Sequence, residues 1–149
     1  MKNLVLDASV YGKLFLDEPD SDSVTALFSS LITGAFTWYA PDLVSLEVCA
    51  CALHYDIPFD VPLNVLETHS NTGLVILAPT RPMWTRAEMI ASQGNPKSGY
   101  PSLEDSLYHA MAIELDGTFV TADQVHVAKT RSLGHVALLS DLQLNLSVR

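Results

Sequence analysis

Short apolar runs alternate along the chain with segments in which apolar residues recur every three or four positions. Residues 4–6 form a continuous apolar run that stops at an acid, as expected of a strand buried on both faces of a parallel sheet. Over 8–16, the spacing of Val10, Leu14 and Phe15 instead predicts an amphipathic helix. The same criteria predict further strands at 36–40, 74–77, 119–120 and 136–139. They predict further helices over 21–34, 42–53, about 63–69, 83–92 and 102–115, and a short helix that ends at 133.

This alternation of strands and helices predicts the fold class. Strands separated by helices are typical of an α/β fold, and we expect a three-layer α/β/α domain with a mainly parallel sheet of four to five strands. The chain has 149 residues and shows no internal repeat or low-complexity linker. A single domain over residues 1–149 is therefore expected.

Two segments fall outside the regular pattern. Residues 94–101 are rich in Gly, Pro and polar side chains, which predicts an irregular surface loop. In the last segment, 142–148, leucine and valine alternate with polar residues, which is strand periodicity with one apolar face. We expect this segment to pair at the edge of a sheet, and a subunit contact is the alternative.

The composition excludes several classes of protein. The chain carries 17 acidic residues against 8 Lys and Arg, a formal charge of −9, which argues against binding nucleic acid through a broad basic face. A phosphate-containing substrate would need a bridging cation. Cys49 and Cys51 lie too close in a predicted helix for a disulfide and are interpreted as small buried residues. With no signal-peptide core and no run long enough to span a membrane, we expect a cytoplasmic protein.

Four acidic residues are candidates for a common site. Asp7 and Asp123 follow apolar strands, and ligands of open parallel sheets collect at the carboxyl ends of strands. Asp105 lies in the first turn of its helix, and Glu47 lies in a helix built otherwise from apolar residues. Each aspartate alone is also explained by helix capping. Glu47 has no such explanation, because no basic residue lies three or four positions away to pair with it.

If the four carboxylates converge, their charges must be compensated. Two carboxylates about 4 Å apart repel by about 4 kcal/mol at an effective dielectric constant of 20. Mg²⁺ or Mn²⁺ would remove this repulsion, since both ions prefer hard oxygen ligands and complete their coordination with water and phosphate oxygens. The same ion would let an acidic protein attract a polyanion.

The order and spacing of these motifs along nearly the whole chain resemble one family. The matching segments are Asp7-Ala-Ser9 after the first strand, Glu47 in the third helix, the run Asp105-Ser-Leu-Tyr108-His-Ala-Met-Ala112, and Thr121-Ala-Asp123. With these segments the sequence resembles the PIN-domain ribonucleases, particularly VapC-like toxins.

The resemblance implies a Mg²⁺- or Mn²⁺-dependent endoribonuclease, the toxin of a type II toxin–antitoxin pair, that hydrolyses RNA phosphodiester bonds with a metal-activated water. Asp7, Asp105 and Asp123 would be metal ligands and catalytic residues. Glu47 would join them as a ligand, or would orient and deprotonate the water. Thr121 and Ser9 would support the acids by hydrogen bonding. The implied partners are an RNA substrate, a protein antitoxin with basic residues and a second copy of the chain, with no membrane.

Two other functions compete with this interpretation. A noncatalytic PIN-like protein-interaction module would keep the fold for protein contacts alone. A phosphoacceptor signalling domain also gathers acids at strand ends, but it needs a second acid beside the first and a lysine after a late strand. Leu6 precedes Asp7, and no lysine lies within 136–140, so the sequence disfavours this class.

Aromatic and basic residues give weaker signals. Trp38 and Trp84 lie in apolar patterns, which favours packing in the core or at an interface over stacking on bases. Lys97, in the loop rich in Gly and Pro, is the basic residue best placed to approach a substrate, with Arg81 and Arg86 as weaker candidates. A solvated lysine is the simpler interpretation of Lys97.

Overall fold

The computed structural model describes residues 2–16, 21–34 and 36–141. In these ranges, strands alternate with helices in the order that the sequence predicts. The strands are β1 (Lys2–Leu6), β2 (Phe36–Pro41), β3 (Leu74–Leu77), β4 (Thr118–Thr121) and β5 (Val136–Leu138). The helices are α1 (Ala8–Gly12), α2 (Ser21–Thr33), α3 (Val44–His54), α4 (Asp60–Thr72), α5 (Arg81–Ala91), α6 (Leu103–Glu114) and α7 (Gln124–Thr130), and a 3-10 turn (Arg131–Leu133) follows α7.

The five strands form one sheet in the order β3-β2-β1-β4-β5, and every neighbouring pair of these described strands is parallel. Leu4, Val5 and Leu6 of the central strand β1 are all buried. Because successive side chains of a strand point to opposite faces, both faces of β1 must be covered by helices. The predicted three-layer α/β/α fold with a mainly parallel sheet is therefore confirmed.

Helix α6 is the most deeply buried helix of the part that the structure describes. Its residues 106–112 are all buried, and it packs against β1, β4 and helix α5. Ala110 and Leu107 meet Ala87 and Ile90 of α5 in a second apolar cluster. Small residues on the facing sides let the two helices approach closely. This packing fixes the position of the first turn of α6, which carries Asp105.

Two helices differ in length from the prediction. Helix α1 ends at Gly12 instead of residue 16, and the chain continues in tight turns in which Leu14 N donates to Tyr11 O and Phe15 N to Gly12 O. Helix α4 begins at Asp60 instead of about 63 and ends at Thr72 instead of 69. Pro62 lies in the first turn of the helix, where a missing N–H group costs no intrahelical hydrogen bond.

Three predictions on single side chains can be compared with the structure. Trp38 is fully buried in the core, as predicted. Trp84 is not a core residue, since 47% of its surface is exposed on α5. The prediction that Cys49 and Cys51 are buried is wrong: neither forms a disulfide and both are of intermediate exposure, because each lies at the side of α3 and not on its buried face.

The prediction for the alternating segment from 142 onward lies outside the described residues. In the part of the chain that the structure covers, no helix is both long enough and apolar enough to cross a bilayer.

Candidate active site

The candidate site lies where the strand order changes direction. From β1 the chain moves outward to β2 and then β3, and it returns to the other side of β1 with β4. In open α/β sheets, ligands bind at the carboxyl ends of strands at such a switch point. Asp7 follows β1 and Asp123 follows β4, so the topology brings both carboxylates to this point. The backbone N–H of Asp7 donates to Val120 O at 3.0 Å, which joins the two strand ends.

Asp7 is buried and held by two hydroxyl groups. Its side chain is 5% exposed, and its Oδ2 accepts hydrogen bonds from Ser9 Oγ at 2.8 Å and Thr121 Oγ1 at 2.7 Å. Asp7 is the N-cap residue of α1 by position, yet its side chain makes no capping hydrogen bond. Helix capping therefore does not explain this carboxylate, and both hydrogen bonds orient it.

Asp123, in contrast, is a true helix cap. Its Oδ1 accepts from the backbone N–H groups of Val125 at 2.9 Å and His126 at 3.1 Å, at the start of α7. The backbone N–H of Asp123 donates to Thr121 Oγ1 at 3.0 Å. The Thr121 hydroxyl thus accepts from residue 123 while it donates to Asp7, and it links the two acids.

Asp105 and Glu47 reach the same place from two helices. Ser102 Oγ accepts from Asp105 N at 3.1 Å, so Ser102 is the N-cap of α6 and fixes its first turn. Glu47 comes from α3, and its Oε1 is buried without a hydrogen-bond partner among the described residues. The hydroxyl oxygen of Tyr108, one turn beyond Asp105, is also buried without a hydrogen-bond partner among the described residues. Such orphaned polar atoms are costly unless a ligand or an ion satisfies them.

All four predicted acids line one cleft of about 460 Å³. Its lining residues are Asp7, Ala8, Ser9, Glu47, Cys51, Asp105, Ala122 and Asp123. The structure therefore brings together the four acids that are far apart in sequence, together with Ser9. The cleft also contains Cys51, which sequence reasoning did not place there; its position four residues after Glu47 in α3 is the signal that could have found it.

Crowding and burial raise the pKa values of three carboxyl groups in the cleft. Burial, together with the negative charges of Asp7 and Asp123, raises the pKa of Asp105 to about 7. Burial also raises the pKa of Asp7, against the lowering effect of the Thr121 and Ser9 hydrogen bonds. The pKa of Glu47 is raised by burial, an effect that the Tyr108 hydroxyl opposes and the Asp7 charge reinforces. At neutral pH the cleft therefore favours either a bound proton or a bound cation.

The donor set fits a hard divalent ion. Among the described residues, no three Asp, Glu, His or Cys side chains already form a ligand group. Mg²⁺ typically takes one or two carboxylates directly and keeps several water molecules, so it does not need three protein ligands in contact. The cleft offers oxygen donors, raised carboxylate pKa values and the unsatisfied Glu47 Oε1. Asp7, Asp105, Asp123 and Glu47 are thus the residues that could hold such an ion.

Thr121→Val is expected to weaken Mn²⁺ binding to this cleft by about 10- to 100-fold, because the hydroxyl that orients Asp7 and anchors residue 123 is lost. Calorimetric titration of the purified protein with Mn²⁺ measures the effect. Thr118→Val, at the opposite end of the same strand, is the matched control and should bind Mn²⁺ like the unchanged protein. Equal Mn²⁺ affinity of the two variants would contradict the supporting role of Thr121.

Comparison with solved structures shows the same fold in other proteins. The chain is similar to a protein from Pyrobaculum aerophilum, PAE2754, with 14% identity, a TM-score of 0.67 and coverage of 99% of this chain and 98% of that one. VapBC2 from Rickettsia felis, bound to a DNA fragment from its promoter, matches with 15% identity and a TM-score of 0.65, over 91% of this chain and 96% of that one. FitAcB from Neisseria gonorrhoeae matches with 18% identity and a TM-score of 0.55, over 91% and 95%.

No curated protein sequence matches the chain significantly. The family comparison is decisive, because residues 4–131 match the PIN domain model, and this range includes all four acids of the cleft. The fold of the solved neighbours agrees with this match. The chain therefore belongs to the PIN-domain family.

Proposed function

We propose that the protein is a Mg²⁺- or Mn²⁺-dependent endoribonuclease that hydrolyses RNA phosphodiester bonds. The observation that carries this proposal is the convergence of four carboxylates from four separate elements in one cleft at the switch point of the sheet. Separate elements supply the acids, so no single local capping requirement accounts for their meeting. A cluster of this kind suits a cation-bridged phosphate substrate.

Each acid has a role that follows from its surroundings. Asp7, fixed by two hydroxyl donors, and Asp123, fixed by the α7 cap, are oriented to hold an ion without rearranging. Asp105, whose pKa is raised to about 7, gives up its proton when the ion binds. When bound, the ion would neutralise charge on the phosphate group and make a water molecule more acidic.

Glu47 is the proposed base. Its Oε1 is buried, has no hydrogen-bond partner in the described structure and belongs to a carboxyl group whose pKa is raised by burial. A base with a raised pKa accepts a proton more readily at neutral pH. In this mechanism Glu47 Oε1 takes the proton from the attacking water.

A protein antitoxin is the proposed partner, which makes this chain the toxin of a type II pair. The neighbours from Rickettsia felis and Neisseria gonorrhoeae are two-component VapBC and FitAB proteins by name. The cleft here is rimmed by carboxylates and the chain carries a charge of −9, so a partner that covers the cleft needs basic residues.

A homodimer is the second proposed assembly, through an apolar face on α3. Leu46, Ala50 and Leu53 lie on one side of this helix, and Leu46 and Leu53 are 74% and 65% exposed. Two chains of charge −9 repel each other, so they associate best through a face without carboxylates. A second copy of the chain is therefore the occupant that this face favours.

The double substitution Leu46→Ser and Leu53→Ser should convert a dimer into a monomer that is still folded, because both side chains are exposed to water in the single chain and do not contribute to its core. Sedimentation velocity measures the mass. Met89→Ser, an exposed apolar residue on α5, is the control and should leave the mass unchanged. A dimer that survives the double substitution would exclude this face as the interface.

Incubation of the protein with a mixed RNA pool tests the enzymatic function. Samples containing Mg²⁺, Mn²⁺ or EDTA, and a single-stranded DNA pool of the same sequences, are compared by sequencing the new ends. We expect internal cuts in RNA with either ion and none with EDTA.

The competing function, a noncatalytic interaction module, is favoured by the lack of a preformed ligand group among the described residues. An intact RNA pool under all conditions would support that alternative.

A further inference from the structure

A second concave surface lies beside α6 and is not part of the acidic cleft. It is a groove of about 720 Å³ between one face of α5 and the segment that leads into α6. Its lining residues are Arg81, Trp84, Thr85, Glu88, Ala91, Ser92, Tyr100 and Leu103. We call it the aromatic groove, because Trp84 on one wall and Tyr100 on the other are its largest side chains.

The aromatic groove exposes side chains that a fold normally buries. Trp84 is 47% exposed and Tyr100 is 53% exposed, whereas Trp38, the other tryptophan, is fully buried in the core. Exposed tryptophan and tyrosine that line a concave surface are typical of a binding site. The flat faces of such rings stack on nucleobases, and each stacked base contributes substantially to binding of single-stranded nucleic acid.

Tyr100 is held in place by a structured turn. Asn95 Oδ1 accepts from the backbone N–H groups of Lys97 and Ser98, both at 2.9 Å, and the backbones of Asn95 and Gly99 exchange two hydrogen bonds. Gly94 closes the turn at φ 127°, where a Cβ atom would lie 2.3 Å from Gly99 O. The predicted irregular loop is thus a compact, hydrogen-bonded turn that fixes the position of the next residue, Tyr100.

Two lysines add positive charge at the turn beside the groove, in an otherwise acidic chain. Arg81 and Glu88 both line the aromatic groove, so their charges offset each other, and Lys97 lies in the turn that carries Tyr100. The Nζ of Lys129 donates to Ser98 O at 2.7 Å, which brings a second lysine to this turn. The whole chain has only 8 Lys and Arg, so this local cluster contrasts with the total charge of −9. Cations beside exposed aromatic rings match the phosphates and bases of a nucleic acid strand.

The aromatic groove lies close to the acidic cleft. Leu103 lines the groove and Asp105 lines the cleft, and both belong to the first turn of α6. They are two residues apart, which is about 3 Å along the helix axis and about 200° around it, so the groove and the cleft lie on different sides of the first turn of α6. Asp123, the N-cap of α7, lines the cleft, and Lys129, in the last turn of α7, contacts the turn beside the groove. A strand that crosses the N-terminus of α6 would therefore meet both surfaces.

We propose that the aromatic groove is a nucleobase subsite, in which Trp84 and Tyr100 hold an unpaired base of the RNA strand whose backbone lies in the acidic cleft. This inference rests on the proposed ribonuclease function and assigns to that function a base-binding position outside the acidic cleft. A paired base cannot enter the groove, because its faces are covered by its neighbours in the duplex.

Trp84→Ala and Trp84→Phe test the subsite. With a single-stranded RNA substrate and saturating Mn²⁺, Trp84→Ala should raise KM about 10-fold or more with kcat nearly unchanged, because the lost stacking is present in both the bound substrate and the transition state. Trp84→Phe keeps an aromatic ring, so its KM should lie close to that of the unchanged protein. Met89→Ala, a 58% exposed residue that lines other pockets on α5, is the matched control and should keep the original KM.

A binding assay separates the failure of the subsite from the failure of the proposed function. Fluorescence anisotropy with a labelled single-stranded RNA, and with Ca²⁺ in place of Mn²⁺ as the bridging cation, measures binding without relying on cleavage. The Kd of Trp84→Ala should again be about 10-fold higher than that of the unchanged protein. Equal Kd and KM values for the two proteins would overturn the subsite while leaving the ribonuclease intact. RNA that binds through Trp84 but is never cut would contradict the proposed function alone. A change of oligomeric mass in Trp84→Ala, with unchanged RNA binding, would assign the groove to a protein contact and overturn the proposal.

Discussion

Asp7→Asn is expected to lower metal-dependent RNA cleavage by at least about 100-fold, because even residues that only orient a metal ligand contribute 10- to 100-fold. The amide oxygen of asparagine can still accept the Ser9 and Thr121 hydrogen bonds, so the local structure should persist. The amide lacks the negative charge that an ion requires. Initial rates of RNA cleavage over a range of Mn²⁺ concentrations measure the loss, and excess Mn²⁺ should not restore the rate.

Asp123→Asn should have the same effect on cleavage, since its amide oxygen can keep the α7 cap while the charge is lost. The matched control is Asp116→Asn. Asp116 is exposed at the far end of α6 and has φ 51°, a left-handed conformation that asparagine tolerates well. Cleavage at the original rate by both Asp7→Asn and Asp123→Asn would reject the assignment of the cleft as the active site.

Asp105→Asn should stabilise the metal-free protein at neutral pH. The pKa of Asp105 is about 7 in the fold and 3.8 without its environment, so the folded state holds its proton more tightly. Stability from this group is fully present below about pH 4 and is lost as the pH rises toward 7. The full shift would correspond to ~4 kcal/mol, but solvent screening of this partly exposed group reduces the expected gain from Asp105→Asn to about 1–2 kcal/mol.

Thermal unfolding in EDTA at a series of pH values measures this stabilisation. Asp105→Asn should raise Tm by about 3–6 °C at pH 7.5, and the difference should vanish near pH 4, where Asp105 is protonated. With added Mn²⁺ at pH 7.5, the unchanged protein should have the higher Tm, since the ion stabilises only the chain that keeps its ligand. A difference in Tm that does not depend on pH would show that charge repulsion in the cleft is not its cause.

The sheet could be predicted from sequence because its strands show as short apolar runs. This holds both for the central strand β1, which is buried on both faces, and for the edge strand β3, in which Val75 and Ile76 are exposed. Residues 36–40 and 74–77 were placed within one residue of β2 and β3. Helix ends were harder to predict, since they depend on contacts outside the helix. Pro62 illustrates this: the same residue breaks a helix in its interior and is tolerated in its first turn.

The candidate site could be located from sequence only as a set of acids. An acid that follows a buried strand, as Asp7 and Asp123 do, falls at the carboxyl edge of the sheet by topology alone. Glu47 was singled out because it interrupts an apolar helix. The aromatic groove could not be foreseen, because the separation of Trp84 and Tyr100 depends on how the turn closed by Gly94 folds back. Periodicity placed Trp84 in an apolar pattern and gave no sign of its exposure.

The position of the Thr121 hydroxyl has a mechanical consequence. Thr121 Oγ1 donates to the Asp7 carboxylate after β1 and accepts from the backbone N–H of Asp123 after β4, so it links the two strand ends. The cleft cannot widen at this edge without breaking the hydrogen bond from Thr121 Oγ1 to Asp7 and the one from Asp7 N to Val120 O. Slow amide exchange at the N–H group of Asp7 should therefore be lost when the two strand ends separate, and the same opening should release the carboxylate that would hold an ion.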